Sequence, residues 1–356
     1  MEIKTPGRIC LFGEHQDYLG LPVIALAISR HSKIVGSARS DAMIVINKPD
    51  LNEVEKFHIN DNQYTSNFDL FKSGLNVCKH YGFKFSKGFD VVLSSNIPIK
   101  AGASSSSSIL VGWINFLSNN AENPKQLSKQ KLARLAFEAE VLEFNAPGGM
   151  MDQYSTAIGG LIYLETSPEL SINKINHDLG TFVIGDSMNQ KDTVGILSRC
   201  KNQRIAILNK IKNHGSDINF SSISENQVKN FKITDHERAL LIGTIKNRDI
   251  LIKGRKELIK KHIDKHYLGQ LMTEHHKILS KVLKVSTSKI DLMLKSALDA
   301  GAYGGKINGS GGGGCMFAYC PENPLKIKRA IEDVGGQAYV VQSSLGTTIN
   351  SKGKHL

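Results

Sequence analysis

The sequence predicts a mixed α+β chain folded into two domains, and three observations support this fold class. With 356 residues, the chain exceeds the length at which a single hydrophobic core is usual. Short apolar runs broken by glycine and proline, such as residues 9–12 and 23–28, are typical of paired strands. After Gly102 the apolar period changes to that of a helix, one face of which carries Ile109, Leu110, Trp113, Ile114 and Leu117.

The remaining elements follow in chain order. We predict strands within 42–59 and over 89–93, a helix over 129–144, a short helix over 150–157 and a strand over 159–164. Residues 166–177 are polar and lack sustained periodicity, so they are predicted to form a linker. A strand over 181–185, amphipathic helices between 193 and 298 and a glycine-rich strand system complete the chain. The predicted domains are therefore residues 1–175 and 176–356.

Composition and charge argue against several function classes. The formal charge of +12 arises from 45 basic against 33 acidic residues, an excess that can mark a nucleic-acid-binding protein or suit an anionic substrate. The densest basic stretch, residues 253–265, alternates with apolar residues at helical spacing, which indicates the solvated face of a helix. We therefore expect no nucleic-acid partner. Since neither a long apolar run nor a leader sequence is present, we expect a cytoplasmic protein without membrane spans.

The five cysteines are odd in number and scattered, which predicts reduced, buried thiols. Cys315 and Cys320 lie five residues apart in a predicted strand and thus on opposite faces. A shared metal site is therefore not expected.

Five consecutive serines lie in the segment from Pro98 to Leu110. Serine runs are often linkers, but this one lies between a predicted strand and a helix with a clear apolar stripe. The serines therefore fall at a helix N-terminus, where unpaired backbone N–H groups and the helix dipole bind phosphate. A serine hydroxyl can also ligate Mg²⁺. We predict a phosphate site; an ordinary serine-capped helix is the alternative.

A second polar segment, Pro6 to Tyr18, places Glu14, His15 and Asp17 in a short loop between two predicted strands. Carboxylates and an imidazole on such a loop suit hydrogen bonding to neighbouring hydroxyls of a polyol or sugar. A polar turn whose side chains cap local backbone groups is the alternative.

Two further segments carry candidate chemistry. Asp152 follows Gly148 and Gly149 in an otherwise apolar region, where a carboxylate could orient or deprotonate a substrate hydroxyl or simply favour a helix N-terminus. Glu140, on the preceding helix, could complete a metal site. Seven glycines lie within residues 304–314, so the backbone must closely approach either a ligand or a domain interface.

Taken together and in this order, the segments resemble the GHMP kinases, the superfamily of galactokinase, homoserine kinase and mevalonate kinase. Pro6 to Tyr18, Pro98 to Ser108 and Gly301 to Phe317 match its three motifs. Within the superfamily, the first motif is similar to the galactokinase signature. The resemblance implies a ribosomal-S5-like N-terminal domain and a ferredoxin-like, helix-rich C-terminal domain.

The resemblance also implies residue roles. Arg8 and Asp152 would form the catalytic pair. The sugar would contact Glu14, His15, Asp17 and Gly149. The ATP phosphates would contact Gly102, Ala103, Ser104, Ser105, Ser106 and Ser107. Magnesium would be held by Glu140 and by Ser105 or Ser106, with Ser106 preferred. The glycine-rich loop would comprise Gly309, Gly311, Gly312 and Gly313.

The function expected from this resemblance is ATP- and Mg²⁺-dependent phosphorylation of a small sugar, at the anomeric hydroxyl, by a monomer or homodimer. Cys10 replaces an asparagine common in the galactokinase signature, and Ala103 replaces the usual leucine of the phosphate loop. Galactose, fucose, an N-acetylhexosamine, a heptose and a uronic acid therefore all stay open as acceptors. One alternative is a kinase of the same fold acting on mevalonate or another non-sugar alcohol. The other is a non-catalytic regulator that binds ATP and sugar.

Overall fold

A computed structural model describes residues 1–66, 68–98, 102–189, 192–213 and 218–350 of the chain. Within these ranges eight strands form the first sheet: β1 Glu2–Phe12, β2 Val23–Ala38, β3 Met43–Lys48, β4 Glu53–His58, β5 Phe89–Ser95, β6 Leu161–Glu165, β7 Ser171–Ile175 and β12 Thr348–Asn350. Their main order is β12-β1-β2-β5-β3-β4, with β6 and β7 attached through β2. The pairings are antiparallel except for β3 with β5, which is parallel.

Four α-helices pack against this sheet and position much of the site: α1 Leu70–His80, α2 Ser105–Asn120, α3 Lys129–Phe137 and α4 Met151–Ile158. Trp113 is fully buried at the centre of the layer, stacks on Phe116 at 5.6 Å between centroids, and donates its indole N–H to the carbonyl of Phe71 at 2.9 Å. Burial of this aromatic cluster, with the hydrogen-bonding requirement of the indole met, fixes α1 against α2.

The helix predicted over 129–144 is α3 continued by a π-helical turn, Glu138–Leu142. A π turn inserts one residue per turn and therefore rotates the side chains that follow it. This turn contains Glu140, one of the predicted site residues.

The second sheet contains β8 Phe182–Asp186, β9 Gly304–Asn308, β10 Cys315–Tyr319 and β11 Gln337–Val341, in the antiparallel order β11-β8-β10-β9. The helices of this half are α5 Thr193–Asn213, α6 Glu225–Val228, α7 Asp235–Leu258, α8 Lys265–Lys281, α9 Ser288–Asp299 and α10 Pro324–Asp333. Helices α9 and α10 pack on the second sheet through Met293, Ile327 and Ile331.

The prediction of a linker over 166–177 is wrong. Residues Ser171–Ile175 form β7, which pairs antiparallel with β6 from Leu161↔Ile175 to Glu165↔Ser171. The pairing uses backbone groups, so a polar strand at the end of a sheet needs no strong apolar pattern.

Strands β1 to β7 belong to the first sheet and β8 begins the second, but β12 returns to pair with β1. The boundary between residues 175 and 176 stays a prediction. All five cysteines are buried thiols outside any disulfide, as their number and spacing predicted. Across the described ranges, the helices lack the combination of length and apolar character needed to cross a membrane.

Candidate active site

A cavity of about 900 Å³ brings the predicted motifs together. Three segments contribute to its wall: the 13–18 loop after β1, the serine loop (residues 102–107), and the glycine-rich loop (residues 309–314) between β9 and β10. The predicted site residues that line it are Arg8, Glu14, His15, Asp17, Gly102, Ser104, Ser105, Ser106, Ser107, Glu140, Gly149, Asp152 and Gly309. Ala103, Gly311, Gly312 and Gly313 are not part of the lining given by the described residues.

Arg8 and Asp152 form an ion pair in this cavity. Arg8 extends from β1, and its Nε and Nη2 both donate to Asp152 Oδ1, at 2.9 and 2.7 Å. Asp152 lies in the first turn of α4, and no donor among the described residues reaches its Oδ2. Although burial opposes the charged form of Arg8, the carboxylates of Asp152 and Glu14 raise its pKa above the ordinary value. One carboxylate oxygen is thus held in place and the other is available to a ligand.

The serine loop leads directly into α2. Gly102 has φ +92° and Ser104 φ +60°, both in the left-handed region, so the chain turns sharply before α2 begins at Ser105. The Ser104 hydroxyl is buried without a hydrogen-bond partner in the described chain. The first N–H groups of α2 have no partner within the helix, so the start of α2 can accept an anion. The adjoining residues 99–101 of the predicted segment lie outside the described residues.

The serine loop is joined to β1 and to β9. Arg8 Nη1 donates to the carbonyl of Gly102 at 2.5 Å, and Asn308 Nδ2 donates to the same oxygen at 3.0 Å. Asn308 Oδ1 also accepts the backbone N–H of Cys10 at 2.8 Å. Ala103 faces inward and accepts the backbone N–H of Arg8 at 3.1 Å, which explains why it does not line the cavity.

Glu140 lies across from the serine loop. Its Oε2 accepts hydrogen bonds from Ser107 Oγ and Gln153 Nε2, each at 2.6 Å. Burial raises the pKa of Glu140, and hydrogen bonds from Ser107, Ser106 and Gln153 oppose that rise. A carboxylate and serine hydroxyls are oxygen ligands of the kind that Mg²⁺ prefers. Within the described residues no group of three or more His, Cys, Asp or Glu side chains could hold a metal on its own.

The two carboxylates of the 13–18 loop have different surroundings. Glu14 Oε2 accepts from Lys306 Nζ at 2.7 Å, and both side chains are almost completely buried. Asp17 Oδ2 accepts the backbone N–H of Met151 at 3.4 Å. Burial, followed by the charge of Asp152, raises the pKa of Asp17 to about 6. A Cβ added at Gly149 would lie 2.0 Å from Asp17 Oδ2, so glycine is required where these two loops meet.

His15 uses both ring nitrogens within the protein. Nε2 lies 3.0 Å from the carbonyl oxygen of Ser310, which can only accept, so Nε2 carries a proton. Burial and the nearby charge of Arg204 lower the pKa of His15 to about 3, so the ring is neutral and Nδ1 accepts from the Tyr18 hydroxyl at 2.8 Å. Arg204 Nη2 in turn donates to that hydroxyl at 2.6 Å. His15 therefore lines the cavity but is held by the protein on both sides.

The glycine-rich loop closely approaches other segments of the chain, as its composition predicted. Gly309 lines the cavity and lies against the serine loop, since a Cβ added to it would be 2.8 Å from Gly102 Cα. Gly311 and Gly312 pack against other chain segments instead, where a Cβ would be 2.3 Å from the Val285 carbonyl oxygen or 2.1 Å from Ile196 Cδ1. All of Gly309 and Gly311 to Gly314 have left-handed φ.

Sequence reasoning missed several polar residues that hold the site together. Lys306 and Asn308 lie two residues apart on β9, so their side chains leave the same face of the strand. Polar residues alternating within a buried strand were the signal that could have identified them. Three other residues were missed. Gln153 contacts Glu140, and Tyr18 contacts His15. Arg204 in turn contacts Tyr18.

Three family models match the sequence. Residues 69–160 match the GHMP kinases N terminal domain, residues 255–337 match the GHMP kinases C terminal model, and residues 3–38 match the galactokinase galactose-binding signature. The mevalonate kinase of Thermococcus gammatolerans is 26% identical over 353 residues, covering 96% of this chain and 95% of its own length. The galactokinase of Mannheimia succiniciproducens is 23% identical over 373 residues, covering 100% of this chain and 94% of its own.

Solved structures share the fold. The galactokinase of Lactococcus lactis complexed with galactose superposes with a TM-score of 0.86 at 19% identity, covering 98% of this chain and 94% of that one. The Methanococcus jannaschii mevalonate kinase gives a TM-score of 0.71 at 23% identity, covering 97% and 98%. These matches confirm the predicted two-domain α+β fold. The N- and C-terminal models match in order along the sequence, and the cavity brings their motifs together in the structure. The chain therefore belongs to the GHMP kinases and is an ATP-dependent small-molecule phosphotransferase.

Proposed function

We propose that this kinase transfers the γ-phosphoryl group of ATP to a hydroxyl of a small sugar, with the anomeric hydroxyl as the expected acceptor. The observation that carries the proposal is the Arg8–Asp152 pair, located between the serine loop and the carboxylates of the 13–18 loop. The match of residues 3–38 to the galactokinase galactose-binding signature supports a sugar as the acceptor.

The chemistry follows from the positions of these groups. Phosphoryl transfer proceeds through a loose transition state, so the protein contributes mainly positioning and stabilisation of negative charge. The positive end of α2 and the Arg8 guanidinium lie where the phosphates would be held. Asp152 Oδ2, which has no donor among the described residues, would accept the hydrogen of the attacking hydroxyl, while Arg8 holds Oδ1.

The donor set fits a magnesium ion that is also bound by the nucleotide phosphates. Glu140 supplies a buried carboxylate, and Ser106, which hydrogen-bonds to it, lines the same cavity. Mg²⁺ is commonly bound by one or two carboxylates plus substrate phosphates, so a cluster of three acidic residues is not needed. We propose that Glu140 and Ser106 hold the ion, whose role would be to neutralise phosphate charge.

The sugar would lie against the 13–18 loop. The carboxylates of Glu14 and Asp17 both line the cavity and can accept hydrogen bonds from neighbouring hydroxyls. Gly149 would allow close approach beside Asp17. His15 would shape the loop, since its two nitrogens are already engaged by Ser310 and Tyr18.

A second candidate acceptor is mevalonate. It is favoured by the identity of 26% to the Thermococcus gammatolerans mevalonate kinase over 96% of the chain. The two candidates differ in what they require of Asp17. A sugar has several adjacent hydroxyls for two carboxylates to bind, whereas mevalonate has its own carboxylate, which the negative charge of Asp17 would repel.

An ADP-release screen of free monosaccharides, uronic acids and mevalonate, with and without Mg²⁺, tests the proposal. We expect Mg²⁺-dependent ADP release with a sugar, and phosphorus NMR of the product should show an anomeric phosphate. Release with mevalonate alone would contradict the proposal and favour the second candidate. The cytoplasmic location and the monomeric or homodimeric state stay predictions.

A further inference from the structure

Lys306 is a fully buried lysine adjacent to the candidate sugar site. Its ammonium group donates to Glu14 Oε2 at 2.7 Å and to the carbonyl oxygen of Ile307 at 2.8 Å, and it lies 5.3 Å from the centroid of the Phe317 ring. Lysines are almost never fully buried unless they are paired. This one is held by a carboxylate, a carbonyl and an aromatic face, which together satisfy a buried ammonium group.

The partner of Lys306 is one of the residues expected to bind the sugar. The Glu14 side chain is 3% exposed, and Oε2 is the oxygen that accepts from Lys306. No donor among the described residues reaches Oε1, and Glu14 lines the cavity. The ion pair therefore leaves one oxygen of Glu14 to a ligand, just as Arg8 leaves one oxygen of Asp152.

The position of Lys306 on β9 is also informative. Two residues further along the same face, Asn308 donates to the carbonyl oxygen of Gly102 in the serine loop. One short strand thus contacts the 13–18 loop through Lys306 and the serine loop through Asn308. The strand leads directly into the glycine-rich loop, which itself lies against Gly102.

We propose that Lys306 is a positioning residue for the acceptor: it holds Glu14 Oε2, so that Oε1 is left to the sugar. This inference rests on the proposed sugar kinase activity. An unpaired carboxylate would be costly in the same place, because the side chain is almost completely buried. Removal of Lys306 would therefore reduce the affinity for sugar in addition to the stability of the fold.

The test compares Lys306→Met, Lys306→Arg and the double variant Lys306→Met/Glu14→Gln in the full chain. We expect Lys306→Met to raise the KM for the sugar by about tenfold or more and to change the KM for ATP by about twofold at most. Lys306→Arg should recover most of the sugar affinity, since it restores the positive charge. A purely structural role for Lys306 would lower stability without this split between the two KM values.

The double variant separates stability from positioning. It lacks the unpaired buried charge, so its Tm should return toward that of the wild type, while its sugar KM stays raised. The double variant can also be compared with the wild type if Lys306→Met does not fold. Lys295→Met is the matched control, because Lys295 forms an ion pair with Asp299 that is 71% and 63% exposed, and it should leave both KM values unchanged.

Two results would overturn the inference: a folded Lys306→Met variant with wild-type sugar KM, or a double variant whose sugar KM recovers together with its Tm. Failure of the proposed function looks different. In that case the wild type phosphorylates no sugar in the ADP-release screen, before any variant is compared.

Discussion

Replacement of Asp152 by asparagine isolates the charge of the proposed catalytic carboxylate. Arg8 Nε and Nη2 both donate to Oδ1, and asparagine keeps an acceptor oxygen at that position. The geometry of the pair should therefore survive. Because Asp152 is 29% exposed, we expect the free energy of unfolding to fall by only about 1–2 kcal/mol.

The effect on turnover should be far larger. A positioned general base typically contributes a factor of about 10²–10⁴ to the rate, which corresponds to about 3–5 kcal/mol of transition-state stabilisation. Asparagine offers an NH₂ group where Oδ2 would accept the hydroxyl proton, so this contribution should be lost. We expect kcat to fall by about 10²–10⁴, with nucleotide affinity within about threefold of the wild type.

The assay measures ADP release at saturating ATP and acceptor, together with ATP binding by calorimetry and thermal unfolding. Asp299→Asn is the control, because it makes the same Asp-to-Asn change at an exposed position, where Asp299 pairs with Lys295. An Asp152→Asn variant that turns over within about tenfold of the wild type would refute the role of general base. Loss of nucleotide binding in parallel with turnover would instead indicate that Asp152 supports the serine loop through Arg8.

Four further predictions concern the walls of the cavity. Because the pKa of Asp17 is raised to about 6, its carboxylate gains a proton as pH falls through 6. In a kinetic pH series the KM for sugar should therefore rise below pH 6 in the wild type but not in Asp17→Asn. The same raised pKa means that the Asp17 contribution to stability is largest below pH 4 and is lost as pH rises through 6, so thermal unfolding of Asp17→Asn should vary less across this window. Gly149→Ala places a Cβ 2.0 Å from Asp17 Oδ2, so it should raise the sugar KM while ATP affinity is retained. The control is Gly148→Ala, whose Cβ meets Val141 at an ordinary 3.4 Å and should leave the sugar KM unchanged. Equal effects of the two variants on the sugar KM would argue against the contact with Asp17. Glu140→Gln should increase the Mg²⁺ concentration needed for half-maximal ADP release by about tenfold, and an unchanged magnesium titration would exclude Glu140 as a ligand.

Much of the local architecture was predictable because it depends on short-range pattern. The apolar stripe from Ile109 placed the serines at the start of a helix, and α2 does begin at Ser105. The same patterning predicted α4, β5 and β8 to within one or two residues. It failed over 166–177, because the backbone pairing of β7 with β6 requires little of the side chains.

The orientation of individual site residues was much less predictable. His15 was expected to contact the sugar, yet its ring nitrogens contact Ser310 and Tyr18. The partner at Ser310 is 295 residues away along the chain, and Arg204, which holds Tyr18, lies on α5. Donor and acceptor pairing between such distant segments leaves no periodic trace in the sequence.

The sequence by itself determined the fold class, the position of the serines at a helix start and, through the order of its motifs, the kinase family. These depend on the hydrophobic period and on residue types that a helix N-terminus or a tight turn requires, which are local properties. Only the tertiary structure decided which atoms remain available to a ligand. Lys306 pairs with Glu14 across 292 residues and Arg8 with Asp152 across 144, so that each carboxylate keeps one oxygen without a donor among the described residues. That outcome depends on packing two sheets and their loops around one cavity, because burial makes each charge require a partner and only the folded chain determines which partner is in reach.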